Sequence, residues 1–225
     1  MPSYKKHAIF ALIFTLPFFF NIFSLALAVI GASLPDFDHD LKKKNISILF
    51  ITGFLLTVIT YLLALPYTIG IILMDMALIF YLSRHRGFTH SLMGIIILSL
   101  FLTILVISTY FFMSTWGLDK EVIFALIVLF LGVLAVNKRI IIPFLFISLL
   151  GIFLIPLPAY NFLNLYNVFG PIFLGFLSHS ILDMFNPSGV EFLRPFVANK
   201  FKKPLGLFFI VVWILLSFYS LSRLF

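Results

Sequence analysis

The sequence predicts an all-α fold: one integral membrane domain over residues 1–225, a polytopic transmembrane helical bundle with about seven full spans and an N-terminal helical hairpin. Three observations predict it. Hydrophobic residues make up 63% of the chain and charged residues 10%, against about 25% charged in soluble domains. Several apolar runs reach the ~20 residues a helix needs to cross a ~30 Å hydrocarbon core, and the mean hydropathy is +1.21. Strand-like alternation is absent, so helices rather than a barrel satisfy the backbone in lipid. The net charge of +7 is read as basic residues that flank spans and set orientation, so no nucleic-acid partner is expected. The chain has no cysteine, which excludes disulfides, thiolate metal sites and a cysteine nucleophile and leaves nitrogen and oxygen for any metal.

The first apolar segment runs over 8–34. Lys5, Lys6 and a later Ala26-Leu27-Ala28 resemble a signal peptide, but the run is longer than the usual apolar region and Pro17 and Asn21 interrupt it, so it reads as retained. A single crossing would put either Lys5 and Lys6 or Lys42, Lys43 and Lys44 on the wrong side. Pro17 breaks a helix because it lacks an N–H and clashes with the preceding turn, and Asn21 suits the cap of a second helix. Two half-length helices, over 8–16 and 22–34, are therefore expected to enter and leave on one face. Protein must cover their non-helical junction.

Further segments follow over 46–65, 67–82, 91–113, 122–136, 140–157, 165–182 and 205–222, separated by short polar or Pro-containing breaks. Trp116, Tyr160 and Trp213 read as residues near the interfaces. Asp75, in mid-segment, reads as a satisfied buried partner rather than a functional acid. With the hairpin on one face, the loops at 84–90, 137–139 and 183–204 share its side, which then carries 13 of the 15 Lys and Arg residues. Lys120 and Arg223 lie opposite. The positive-inside rule makes the rich side cytoplasmic, in a plasma or inner membrane.

All five histidines, His7, His39, His85, His90 and His179, fall at that face or just inside it, together with Asp36, Asp38, Asp40 and Asp183. Imidazole nitrogen and carboxylate oxygen suit Zn, Mn or Fe. In "SHSILD", His179 and Asp183 are four apart and share a helix face. In "PDFDHD", Pro35 ends a helix, and Asp36, Asp38 and His39 can converge from a loop or a single turn. In "RHRGFTHS", Gly87 allows a tight turn and Thr89 is the expected cap of the helix over 91–113, with His90 on its first turn. Singly, each of these is a weak signal; their joint placement carries the inference.

Together these residues resemble the LexA-regulated, inner-membrane-bound, metal-dependent hydrolase family (YdjM-like). The matching motifs are "KKH" with His7, "GASLPDFDHD", "HRGFTHS" and "GFLSHSILDMFNPSGVEFLRPF", about a quarter of the chain. The spans between match only as hydrophobic segments. More distantly, the His/Asp pattern is similar to the zinc-dependent phospholipase C and P1 nuclease group, helical enzymes with a multinuclear zinc site and phosphodiester substrates. Carried over by motif, the resemblance implies the metal ligands His7, Asp36, Asp38, His39, His85, His90, His179 and Asp183. Eight candidates exceed the three or four protein ligands of one catalytic zinc. That implies two or more divalent ions, zinc first and Mn or Fe as alternatives, or a mixture of ligands and supporting groups.

The expected function is metal-dependent hydrolysis of a phosphoester, lipid or lipid-linked, at the cytoplasmic membrane surface, with membrane lipids as partners. Asp38 is the expected bridging ligand or general base and Asp40 the second choice. Arg86, then Arg84 and Arg194, would stabilise developing negative charge. Asn186 and Gly189 are expected to shape a turn. The alternative is a non-enzyme: a metal or ion transporter, or a structural metal-binding protein. A transporter places its site near the midplane, where the sequence offers mainly Asp75.

Overall fold

The computed structural model describes residues 3–38, 43–63, 65–84, 86–157 and 164–223, and leaves aside the side chains of Asp38 and Lys43. The described residues form nine α-helices: α1 (Tyr4–Thr15), α2 (Ile22–Ser33), α3 (Lys43–Leu62), α4 (Thr68–Leu82), α5 (Leu92–Ser114), α6 (Lys120–Ala135), α7 (Ile141–Leu154), α8 (Leu165–Met184) and α9 (Lys203–Ser222). Their only strand-like pairing is an isolated antiparallel bridge between Val190 and Phe201. Four helices, α3, α5, α8 and α9, are long and apolar enough to cross a membrane. Helices α4, α6 and α7 have 15, 16 and 14 residues, short of the ~20 a perpendicular crossing needs. Large apolar side chains such as Phe54, Leu62, Phe146, Leu215 and Phe218 stay exposed around the outside, as lipid-facing surface does.

The N-terminal segment is a broken pair of short helices, as the sequence predicts. Helix α1 ends at Thr15, two residues before Pro17, and the Asn21 side chain accepts the Ser24 N–H at 2.7 Å to cap α2. The junction leaves backbone carbonyls without helical partners, and α9 supplies two of them. Trp213 Nε1–H donates to Phe14 O at 2.8 Å, and the Ser220 hydroxyl donates to Pro17 O at 2.8 Å. The Trp213 ring also stacks on Phe14. Trp213 is thus a brace on the hairpin junction, which the sequence did not foretell. Tyr160 lies outside the described residues.

Helices α2 and α8 form the central pair, and they approach by small residues. A Cβ on Gly31 would stand 2.6 Å from Ile172 O, and one on Gly175 would stand 2.2 Å from Ala28 O. Such close backbone contact is how helices associate where both partners and solvent are apolar. Around this pair, α1, α5 and α9 pack on α8, α3 pairs with α4, and α6 pairs with α7. The core runs through Phe23, Leu27, Ile30, Ile95, Leu98, Phe124, Ile172 and Phe176.

The start of α1, the end of α2, the start of α5 and the end of α8 meet at one end of the bundle. Lys5 and Ile140 line a common groove there, which places the loop before α7 at the same end. The arrangement matches the predicted gathering of basic loops. Asp75 departs from expectation: it projects from the exposed side of α4 and pairs with none of the described residues.

Candidate metal centre

Four segments build a buried cluster of imidazoles and carboxylates. His7 comes from the second turn of α1. Asp36 sits on a 3-10 turn, Pro35–Asp38, that begins where Pro35 stops α2. His90 ends another 3-10 turn, Phe88–His90. His179 and Asp183 come from one face of α8, as their spacing of four requires. All five are buried, with His90 at 0% and His179 and Asp183 at 1% exposure.

The turn before α5 differs from its sequence reading. Ser91, not Thr89, caps α5: its hydroxyl accepts the Gly94 N–H at 3.1 Å. A cap needs extended backbone, and Ser91 has it with ψ 156. His90 therefore precedes the helix instead of standing on its first turn, and Thr89 Oγ1 lies 3.0 Å from His90 Nδ1. The left-handed residue of this turn is Arg86, with φ 60, and not Gly87. A side chain in that region costs about 1–2 kcal/mol, and here the strained position is one whose side chain enters the centre.

Asp183 is the hub. Its Oδ1 accepts from Asn186 Nδ2 at 2.9 Å and faces His7 Nε2 at 3.7 Å. Its Oδ2 faces Arg86 Nε at 3.3 Å, His90 Nε2 at 3.6 Å and His179 Nε2 at 3.9 Å. Asp36 Oδ1 stands 3.6 Å from His179 Nε2. The His7 and His179 rings stack with centroids 3.9 Å apart, and His90 meets His179 edge-on at 5.2 Å.

These separations fit a metal better than they fit hydrogen bonds. An N–H···O bond spans about 2.7–3.2 Å, whereas two ligands of one tetrahedral zinc, each about 2.0–2.1 Å from it, lie roughly 3.4 Å apart. The His179 tautomer adds to this. Its Nδ1 lies 2.6 Å from Ala32 O, and a carbonyl can only accept, so Nδ1 carries a proton and Nε2 is the ring nitrogen that faces the carboxylates. That arrangement, one ring nitrogen tied to a carbonyl and the other offered to the site, is what metal-bound histidines show. Among the described residues Asp36 Oδ1 and His7 Nδ1 are buried with no hydrogen-bond partner, and a bound cation would relieve the cost of the buried carboxylate.

Two trios offer one ligand atom each within 4.8 Å of one another: His7, His179 and Asp183, and Asp36, His90 and His179. Both depend on the single available nitrogen of His179, so the five donors describe one shared centre. The expected ligands His39 and His85 and the expected proton carrier Asp40 lie outside the described residues, as does the Asp38 side chain.

A family model described as "YdjM inner membrane protein" matches residues 5–223. The chain belongs to this family. No curated protein and no solved structure matches it. The match spans the whole cluster from His7 to Asp183. Sequence reasoning had assigned Asn186 only to the turn; its amide in fact holds Asp183. The one available signal was its spacing, three residues past Asp183 at the helix end. Ala32 gave none, because it acts through its backbone.

Proposed function

We propose that the chain is a membrane-embedded metal-dependent hydrolase that acts on a phosphoester, lipid or lipid-linked, at the membrane surface. The observation that carries this reading is the convergence of His7, Asp36, His90, His179 and Asp183 at N···O separations of 3.6 to 3.9 Å, with a guanidinium alongside. These five residues would hold the ion, zinc first and Mn or Fe as alternatives. A bound divalent ion supplies Lewis-acid polarisation and a water acidified toward neutral pH.

The chain's own residues set up the rest. Ala32 O and Thr89 Oγ1 orient the rings of His179 and His90, and Asn186 fixes the Asp183 carboxylate. Arg86 puts a largely buried positive charge 3.3 Å from Asp183, where it can stabilise charge gathering on a phosphoryl oxygen. Asp38, two residues beyond Asp36, remains the proposed general base, with Asp40 as the second choice. In this reading the basic end of the bundle faces the cytoplasm. Helices α3 to α9 all cross, the short ones with help from their flanking loops, and a lipid substrate arrives laterally.

The test is turnover by purified protein of p-nitrophenyl phosphate, bis-p-nitrophenyl phosphate and short-chain phosphatidic acid. The reading expects turnover of at least one that chelator abolishes, that zinc or manganese restores, and that Asp183→Asn lacks. A metal-loaded protein inert toward all three would leave a metal-binding role without hydrolysis.

A further inference from the structure

A basic cavity lies near the centre, and none of the five clustered donors lines it. It has about 330 Å³ and is lined by Ile79, Leu82, Ser83, Arg84, Phe88 and Arg194. Among the described residues its charges do not cancel. Arg194 gives one N–H to Glu191 Oε2, which leaves four of the five guanidinium donors. The Arg84 side chain pairs with none of the described residues. Among the described residues two guanidiniums therefore stand with one carboxylate.

Backbone contacts tie this cavity to the centre. Arg84 and Arg86 are two residues apart, so their Cα atoms lie within about 7 Å. The Arg86 side chain reaches Asp183, and its carbonyl accepts the Glu191 N–H at 3.4 Å. Glu191 in turn holds Arg194. Gly87 lets the Arg194 guanidinium lie against the loop, since a Cβ there would stand 3.3 Å from Nη1 and 2.9 Å from Arg84 O. Ile79, Leu82 and Phe88 give the cavity an apolar wall. The occupant that satisfies both halves is amphiphilic, with an anion that two guanidiniums can grip at once. A phosphate, with several oxygens, meets that need better than a carboxylate.

We propose that Arg84 and Arg194 form a phosphate subsite for an anionic phospholipid, with Ile79, Leu82 and Phe88 against the first part of its acyl chain. That the lipid is a substrate rests on the hydrolase reading; that it binds does not, because the subsite needs no metal. The experiment is isothermal titration of the full chain in a maltoside detergent with chelator present. The probes are dihexanoyl phosphatidic acid, dihexanoyl phosphatidylcholine and inorganic phosphate. Phosphatidic acid is expected to bind at least about tenfold more tightly than either other probe, and Arg84→Gln to weaken it roughly tenfold, the size of one charged hydrogen bond. The double variant with Arg194→Gln should lose it altogether while binding metal as the parent does. Equal affinity in the parent and Arg84→Gln, or no preference over phosphatidylcholine, overturns the subsite. Phosphate binding as tightly as the lipid overturns the lipid assignment. Failure of the hydrolase reading would show separately, as absent metal or absent turnover with lipid binding intact.

Discussion

Asp183 meets Asn186, His7, Arg86, His90 and His179, so its replacement should be felt in stability as well as in metal binding. Asp183→Asn keeps the shape but strands the Arg86 charge, and breaking a buried pair costs about 3–5 kcal/mol. Thermal unfolding of the metal-free variant in detergent should show a clearly lower midpoint than the metal-free parent. Asn186→Ala is milder: it removes one support of the carboxylate and should weaken metal binding about 10- to 100-fold with the fold intact, measurable by competition with a chelating dye. Metal affinity should also fall as pH is lowered, because protons then compete with the ion for the imidazole lone pairs. A pH titration of binding checks the sign. At this scale the donors were legible in the sequence because histidine and aspartate stand out in so apolar a chain. Their supports were not: Thr89 and Asn186 are common turn residues, and Ala32 contributes a carbonyl.

Helices position these donors through close backbone approach. The Gly175 contact with Ala28 and the Gly31 contact with Ile172 hold α2 against α8, which sets both the Ala32 O bond to His179 and the reach of Asp36. Gly175→Ala should cost about 1–3 kcal/mol by overpacking, and Gly175→Leu should separate the helices enough to abolish metal binding while far-ultraviolet circular dichroism stays helical. Element positions were readable from apolar runs and their Pro, Gly and polar breaks, and Pro17 with Asn21 revealed the hairpin. The α2–α8 seam was not readable, because in lipid both the buried and the exposed faces of a helix are apolar and periodicity loses its meaning. The hairpin itself has a direct test. Single cysteines replacing Lys6 and Asn45 should label from the same side of the membrane; opposite labelling would remove His7 from the centre.

Across the whole molecule, the centre lies at the end where α1 starts, α2 and α8 finish and α5 begins, and the basic loops collect around it. His7, Asp36, His90, His179 and Asp183 gather there, whereas Asp75 stands on an outer face of α4. The central claim is that His7, Asp36, His90, His179 and Asp183 hold a metal. Elemental analysis of the purified protein after zinc or manganese loading and desalting at pH 7.5 tests it most directly, with His179→Ala measured in parallel. The account predicts about one tightly held ion or more per chain in the parent and a near-complete loss in the variant; a parent that retains no transition metal, or a variant that retains as much as the parent, would contradict it.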